Sequence, residues 1–310
     1  MIVIISPDAQ NLGAESPVFI IGSGYIAQVF ARGCQLAGVR VSLVTDRVSA
    51  SAIAGHSVIT FGEFKRRAKT LETTTLIHAS GPGRADVSSA EADAWFDRQR
   101  QILEGILSLS STNANLVLVS SGGTVYGDYG TAKVSEDFDL LGATPYAQYQ
   151  KSSESLYADA IGDRLTVLRV GNPYGSLQLE KAKQGFVSAA VKSSLLGLPL
   201  AIFGEGEIVR DYFCEDDLYH LLAANLRELP VGVFNIGSGS GVTQNQIVEE
   251  VERCTQLPIR RVFLERRPVD IDHVVLDCTR AREQLNWTPR IALGDGIAML
   301  ARCVRDRSCL

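Results

Sequence analysis

The chain has little of what marks several common classes of protein. No tract of lysine and arginine stands out among its 30 basic residues, and 35 acidic residues leave a net charge of −5. The electrostatic footprint of a nucleic-acid surface is therefore missing. No apolar run approaches the roughly 18 residues that a membrane span requires. The six cysteines, at positions 34, 214, 254, 278, 303 and 309, form no Cys-x-x-Cys pair and do not cluster with the four histidines, which argues against a zinc site or any other metal. Scattered thiols point to a reducing compartment. The opening stretch from Met1 to Pro7 is too short for the apolar core of a signal peptide and has no basic residue ahead of it, so a cytoplasmic protein is expected. Internal repeats and low-complexity stretches are also lacking. What remains, at 310 residues with 45% hydrophobic and 21% charged side chains, is ordinary globular composition with enough chain for one or two lobes.

Between about residue 17 and residue 170, short apolar runs alternate with helical patterns. Val18–Ile21, Val39–Val44, Ser57–Thr60, Thr75–His78, Leu116–Val119 and Leu165–Leu168 are rich in β-branched side chains, the signature of strands buried on both faces. Tyr25 to Ala37 and Ala90 to Leu109 carry apolar residues at helical spacing. This alternation predicts an α/β fold, a doubly wound parallel sheet of the Rossmann type over residues 1–171. From 172 to 310 glycine and proline become frequent, as in Gly197-Leu-Pro199 and Gly204-Glu-Gly206, and strand signals thin out. A smaller mixed α/β lobe is expected there, with a soft boundary that the chain can cross more than once. Residues 1–16 fit either an extra strand or an unstructured lead.

The first strand runs into Gly22-Ser23-Gly24-Tyr25-Ile26-Ala27, a Gly-x-Gly-x-x-Ala loop that opens a helix. Glycine permits the tight turn and the close approach of a pyrophosphate, and the small Ala27 lets helix pack on strand. The helix start then offers free N–H groups and a positive dipole end to phosphate. The second strand leads to Asp46, 22 residues after Gly24, the spacing at which a carboxylate takes the adenosine ribose hydroxyls. A 2′-phosphate beside that carboxylate is repelled, which favours NAD over NADP. The adjoining Arg47 is the residue that would hold such a phosphate instead.

With these residues in order, the chain resembles the extended short-chain dehydrogenase/reductase family, and within it the NAD-dependent nucleotide-sugar epimerases and dehydratases, from about residue 18 to 300. Ile77-His-Ala79-Ser80-Gly81 is similar to the loop after the fourth strand, whose backbone lies along the cofactor. Val119-Ser120-Ser121-Gly-Gly-Thr124-Val-Tyr-Gly127 is similar to the active-site strand end, with Ser120 towards the cofactor. Leu168-Arg-Val-Gly-Asn172-Pro-Tyr-Gly175 resembles the turn that meets nicotinamide and sugar nucleotide. Phe203-Gly-Glu-Gly206, Arg210-Asp-Tyr212, Arg267-Pro-Val-Asp270 and Leu285-Asn-Trp-Thr-Pro289 complete the series. The resemblance implies that Phe203 packs on the base, that Asn172, Arg210 and Arg267 meet the diphosphate, and that Asp270 accepts from ribose. Guanidinium forks on phosphate oxygens make that chemistry sensible. It also implies a homodimer paired through helices at 90–109 and 146–160. One departure is that the family's Gly-x-x-Gly-x-x-Gly stands here as Ile21, Gly24 and Ala27.

The catalytic positions depart further. The family's Pro-x-x-x-Tyr-x-x-x-Lys lies without gaps on Pro145-Tyr-Ala-Gln-Tyr149-Gln-Lys-Ser-Ser153. The resemblance therefore implies Tyr149 as the acid/base beside the nicotinamide, with Ser153 where the ribose-binding lysine stands. Lys151 lies roughly 200° around the helix from Tyr149 and about 140° from Tyr146, so it pairs with neither. A tyrosine near its reference pKa of about 10 is ionised to about one part in a thousand at neutral pH, and loss of the cation corresponds to up to about 4 kcal/mol. The family's Ser/Thr position falls on Gly122, flanked by Ser121 and Thr124, either of which is a candidate to approach the reacting hydroxyl. Dehydratases carry Thr-Asp-Glu where this chain has Gly122, Gly123 and Thr124, so elimination of water is not expected. Two functions fit. One is an NAD-dependent epimerase or 4-keto reductase acting at C4 of a UDP- or dTDP-hexose. The other is a catalytically weakened relative that binds dinucleotide or nucleotide-sugar, or regulates a partner.

Overall fold

The β-branched runs pair as strands. The computed structural model describes residues 18–46, 56–68, 75–82, 86–109, 115–181, 185–225, 229–267 and 270–306; the stretch 1–16 lies outside them. Val18–Ile21 (β1), Val41–Val44 (β2), Ser57–Ile59 (β3), Thr75–His78 (β4) and Asn115–Ser121 (β5) join Leu165–Val170 (β7) and Gly232–Ile236 (β11) in a seven-stranded sheet of order β11-β7-β5-β4-β1-β2-β3. Every pairing in it is parallel. Alternate residues of β1 enter different cores. Val18 and Ile20 pack with Phe30 of the helix Tyr25–Leu36 (α1), whereas Phe19 and Ile21 pack with Leu103 of Ser89–Leu107 (α3) and Tyr157 of Pro145–Ile161 (α4). A strand buried on both faces is what a doubly wound sheet requires, and the Rossmann-type architecture stands.

Beyond residue 171 the described chain holds seven strands, more than its sparse strand signals suggest. Asn172–Tyr174 (β8), Val209–Cys214 (β10), Gly241–Thr243 (β12) and His273–Leu276 (β14), with Lys133–Val134 (β6), make a second sheet of order β12-β10-β14-β6 in which β8 also pairs with β10. Leu200–Phe203 (β9) and Arg261–Leu264 (β13) form a separate parallel pair. The helices Phe186–Leu196 (α6), Gln244–Thr255 (α8) and Leu293–Arg305 (α10) close this lobe around Val187, Val191, Ile247, Val251, Ile297 and Leu300. The lobes are not consecutive in the chain. The segment β6, from the first half, pairs with β14, and β11 returns to the large sheet beside β7.

A buried ion pair fastens α4 to the sheet. Arg169 of β7 and Glu154 of α4 have side chains only 7% and 9% exposed, with Nη2 2.8 Å from Oε2. Arg169 Nη1 also donates to the Tyr126 hydroxyl at 3.0 Å, which in turn donates to Asn235 Oδ1 at 2.6 Å. Asn235, on β11, donates from Nδ2 to the Val134 and Asp277 carbonyls. The network thus runs from the helix through the large sheet to β6 and to Asp277, the residue that follows β14. Removing one member of a buried pair leaves the other charge uncompensated. Arg169→Met is expected to lower unfolding free energy by about 3–5 kcal/mol, read from urea denaturation; a loss under about 1 kcal/mol would show the pair to be dispensable.

Candidate active site

At the end of β1 the chain turns through Gly22, whose φ is +128° and where a Cβ would lie 2.6 Å from the Ala79 carbonyl oxygen. Only glycine fits that turn. Gly24 is the N-cap of α1, with no capping side chain and no acidic residue in the first turn, and a Cβ built on it meets nothing within 4 Å. The first N–H groups of α1 are left for an anionic ligand. Ser23 donates to Thr45 Oγ1 at 3.3 Å, and the Tyr25 hydroxyl is buried beside Glu215. Asp46 Oδ1 accepts from the Phe61 amide at 3.0 Å, and Arg98 reaches within 3.5 Å of Oδ2. Arg47 lies outside the described residues. This is a cradle that fits a dinucleotide: glycine where the backbone must be approached, a bare helix start, and a fixed carboxylate at the next strand end.

On α4 the structure brings a different pair of side chains to the cleft from the pair in the tyrosine motif. Tyr146 and Gln150, one turn apart, line the cleft, whereas Tyr149 and Ser153 do not. The Tyr149 side chain is 3% exposed and packs with Val87 and Ala92. Its hydroxyl donates to the Ser80 carbonyl at 3.2 Å and accepts a short bond from Gln99 Nε2. Ser153 Oγ donates to the Tyr149 carbonyl at 2.8 Å. The two stripes lie about 60° apart around the helix, so a small rotation decides which faces the ligand. Glu154 sits one turn beyond Gln150, and its bonds to Arg169 and Ser120 turn the 146–150–154 stripe towards the sheet end. Gln150 Nε2 donates to the Tyr146 hydroxyl at 2.9 Å, and the Ser121 side chain also hydrogen-bonds it. Burial raises the Tyr146 pKa, and those two hydrogen bonds oppose it. The residue one turn beyond Tyr146 on the cleft side is the uncharged Gln150.

Gly122 faces away from the ligand side: a Cβ there would lie 2.8 Å from both the Arg169 carbonyl oxygen and Leu276 Cδ1. The hydroxyls on the cleft are those of Ser121 and Thr124, and Thr124 Oγ1 is buried without a partner among the described residues. Ser120 lines the cleft too, but its hydroxyl is committed to Glu154. Ala79, Ser80 and Gly81 form the facing wall. Beneath them His78 lies between Tyr157 and Ser80, its pKa lowered to about 3 chiefly by burial, so it serves as a neutral hydrogen-bonding post.

The same cleft, about 1540 Å³, continues to Asn172, Phe203, Arg210, Arg267 and Asp270. Asn172 Nδ2 donates to the Asp211 carbonyl at 3.3 Å. Arg267 lies 4.2 Å over the Phe203 ring and forks onto Asp270 at 3.0 and 2.6 Å. Arg210 donates to the Val209 carbonyl, and burial lowers its pKa. Residues that the motifs do not point to are Tyr146, Gln150, Gln99, Arg98 and Lys192; the last lines the cleft and donates to the Leu179 carbonyl at 2.8 Å. Only the spacing of Tyr146, Gln150 and Glu154 on one helical stripe gave a signal for the first two. Among the described residues no group of histidine, cysteine and carboxylates is placed to hold a metal ion, and no helix is long and apolar enough to cross a membrane. Cys34, Cys214, Cys254 and Cys278 are free thiols, and Cys303 is disulfide-bonded.

The fold and this cleft define a Rossmann-type architecture with a cradle that fits a dinucleotide, and comparison gives its family. The NAD dependent epimerase/dehydratase family matches residues 18–237, and the chain belongs to it. It is 32% identical over 194 residues to the dTDP-4-dehydro-6-deoxyglucose reductase of Escherichia coli, covering 61% of each chain. It is 30% identical over 197 residues to the UDP-glucose 4-epimerase of Mycolicibacterium smegmatis, covering 62% of this chain and 63% of that one. The match spans about three-fifths of the length of these curated relatives. The UDP-glucose 4-epimerase of Thermotoga maritima shares the fold with a TM-score of 0.82 at 24% identity, over 94% of this chain and 99% of that one.

Tyr149 holds the Ser80 carbonyl in place, so Tyr149→Phe is expected to cost about 0.5–1.5 kcal/mol of stability in urea, the worth of a buried hydrogen bond. A loss of turnover as deep as that of Tyr146→Phe would return Tyr149 to the reacting position.

Proposed function

We propose that the protein is an NAD-dependent oxidoreductase of nucleotide-sugars that works at C4 of a UDP- or dTDP-hexose, chiefly as a 4-keto reductase. The observation that carries the direction is the Tyr146 hydroxyl, set between Ser121 and Gln150 with burial raising its pKa and no ammonium at the next turn. A phenol at or above its reference pKa is protonated at neutral pH, which makes it a proton donor. Reduction needs a donor to the oxygen that becomes the hydroxyl, whereas epimerisation must first remove a proton and calls for a base. When bound, NADH supplies the hydride. The chain does the rest: Gly22, Gly24 and the start of α1 hold the pyrophosphate, Asp46 takes the ribose and favours NADH over NADPH, and Ala79 to Gly81 wall the cofactor side. Tyr146 gives its proton to the C4 oxygen, Gln150 orients Tyr146 without charging it, and Ser121 and Thr124 offer hydrogen bonds to the same oxygen. Arg210 and Arg267 meet the diphosphate, Asn172 its sugar end, Phe203 the base and Asp270 the ribose. A cytoplasmic homodimer joined through α3 and α4 goes with this reading, as the family resemblance implies. The similarity to both a 4-keto-sugar reductase and 4-epimerases supports it.

A second reading, a binding or regulatory relative with weakened catalysis, is favoured by the uncharged Gln150. The two separate in an assay that supplies NADH and a dTDP- or UDP-4-keto-hexose and follows NADH loss and the C4 hydroxyl. Turnover is expected in the wild type and none in Tyr146→Phe. Reduction requires the protonated phenol, so its rate holds below the Tyr146 pKa and falls as pH rises through it. Gln150→Lys favours tyrosinate, so its reductive rate should fall at lower pH while oxidation of the 4-hydroxy sugar speeds up. Binding without turnover in the wild type and in Gln150→Lys would establish the second reading.

Arg210→Ala is expected to weaken binding of UDP or dTDP by about 1.5–3 kcal/mol, the range for charged hydrogen bonds, measured by calorimetry. Unchanged affinity would remove Arg210 from the diphosphate site.

A further inference from the structure

The outer strand of the β9–β13 pair is unusual for an exposed edge. Val262, Phe263 and Leu264 are consecutive, apolar and 39%, 57% and 42% exposed, and no proline or inward charge interrupts them. Native edge strands are normally blunted by such devices because their free N–H and C=O groups template pairing with another chain. The register with β9, and the bonds from the Leu200 and Gly204 amides to the Arg260 and Leu264 carbonyls, assign Arg260, Val262 and Leu264 to the inner ladder. Arg261 and Phe263, and Glu265 next in the alternation, therefore present their backbone groups outward.

We propose that β13 pairs antiparallel with β13 of a second copy, centred on Phe263, to make one four-stranded sheet across a two-fold axis. Centring on Phe263 sets the outward-facing residues against each other as hydrogen-bonded pairs: Phe263 opposite itself, and Arg261 opposite Glu265 of the partner subunit, twice. Val262 meets Leu264 of the partner subunit. Shifting the centre by one residue either way sets Phe263 against Glu265 or Arg260 against Leu264, so this register alone matches apolar with apolar and charge with counter-charge. The next pair out, Arg260 against the partner's Arg266, is like-charged and ends the ladder. Arg261 keeps its bridge to Glu252 at 3.0 Å, which holds it in the strand. The contact is isologous and closes on itself, and it lies on a different lobe from α3 and α4.

Hydrogen-bonded antiparallel partners have Cα atoms about 5.5 Å apart, within disulfide reach. Phe263→Cys under mild oxidation is therefore expected to give a covalent dimer that reductant reverses, while wild type under the same oxidant does not. Glu265→Arg changes an exposed residue beyond the strand end and sets arginine against Arg261. In sedimentation velocity over a concentration series it is expected to weaken association at this edge by about tenfold. A folded Phe263→Cys protein that stays uncrosslinked, or a Glu265→Arg protein that sediments as wild type does, would overturn the pairing. If Phe263→Cys fails to fold, the Glu265→Arg result decides alone.

Discussion

The buried pair of Arg169 and Glu154 fixes more of this molecule than any other contact. Two charges taken from water gain little net stability unless further hydrogen bonds meet them, and here several do: the guanidinium reaches Glu154, Tyr126 and the Glu136 carbonyl. What the pair supplies is orientation. Glu154 sets the rotation of α4, and Ser120, bonded to the same carboxylate, sets the end of β5 next to Ser121. Tyr146, Gln150 and Ser121 face one space because an ion pair behind them leaves their elements one way to dock. Through Tyr126 and Asn235 it also reaches the β6 and β14 segments, so the wall of the ligand cleft and the attachment of the second lobe share one polar network.

The cleft distributes charge unevenly. Cations stand at its ends: Arg98 beside Asp46, and Arg210 and Arg267 on the side of Phe203 and Asp270. The centre, where Tyr146 sits, has hydroxyls and an amide. On the proposed function, the reacting oxygen meets only neutral donors there, an arrangement that stabilises charge appearing on that oxygen without fixing a charge there beforehand.

Much of this was legible in the residues. The strands β1 to β5, the Gly22–Ala27 turn and Asp46 follow from local pattern, because a two-sided strand and a phosphate loop are each specified within a few residues. Asn172, Phe203, Arg210, Arg267 and Asp270, picked out in the sequence as an ordered series of motifs, all line one cleft. The face of α4 that meets the cleft was not legible in the sequence. Two tyrosines three positions apart both satisfy a short helical motif, and the choice between them rests on Glu154 meeting Arg169 from another strand, a long-range contact that no window contains. Gly122 is turned away from the cleft by contacts just as distant in sequence, with Arg169 and Leu276. The short strands of the second lobe, interrupted by residues such as Arg210 and Asp211, owe their existence to pairing partners and not to their own propensity.

The return of β11 to the large sheet bears on how the chain acquires its structure as it is made. When Val170 has left the ribosome, β7 is still an outer strand, and it stays one until Ile236 has followed. The β6 segment waits longer, for His273–Leu276. Neither lobe can finish while the other is unmade, so folding proceeds with open edges for most of synthesis. A lobe-by-lobe assembly line is closed to this chain, and a break in the middle of it would leave two halves that each lack a strand the other carries.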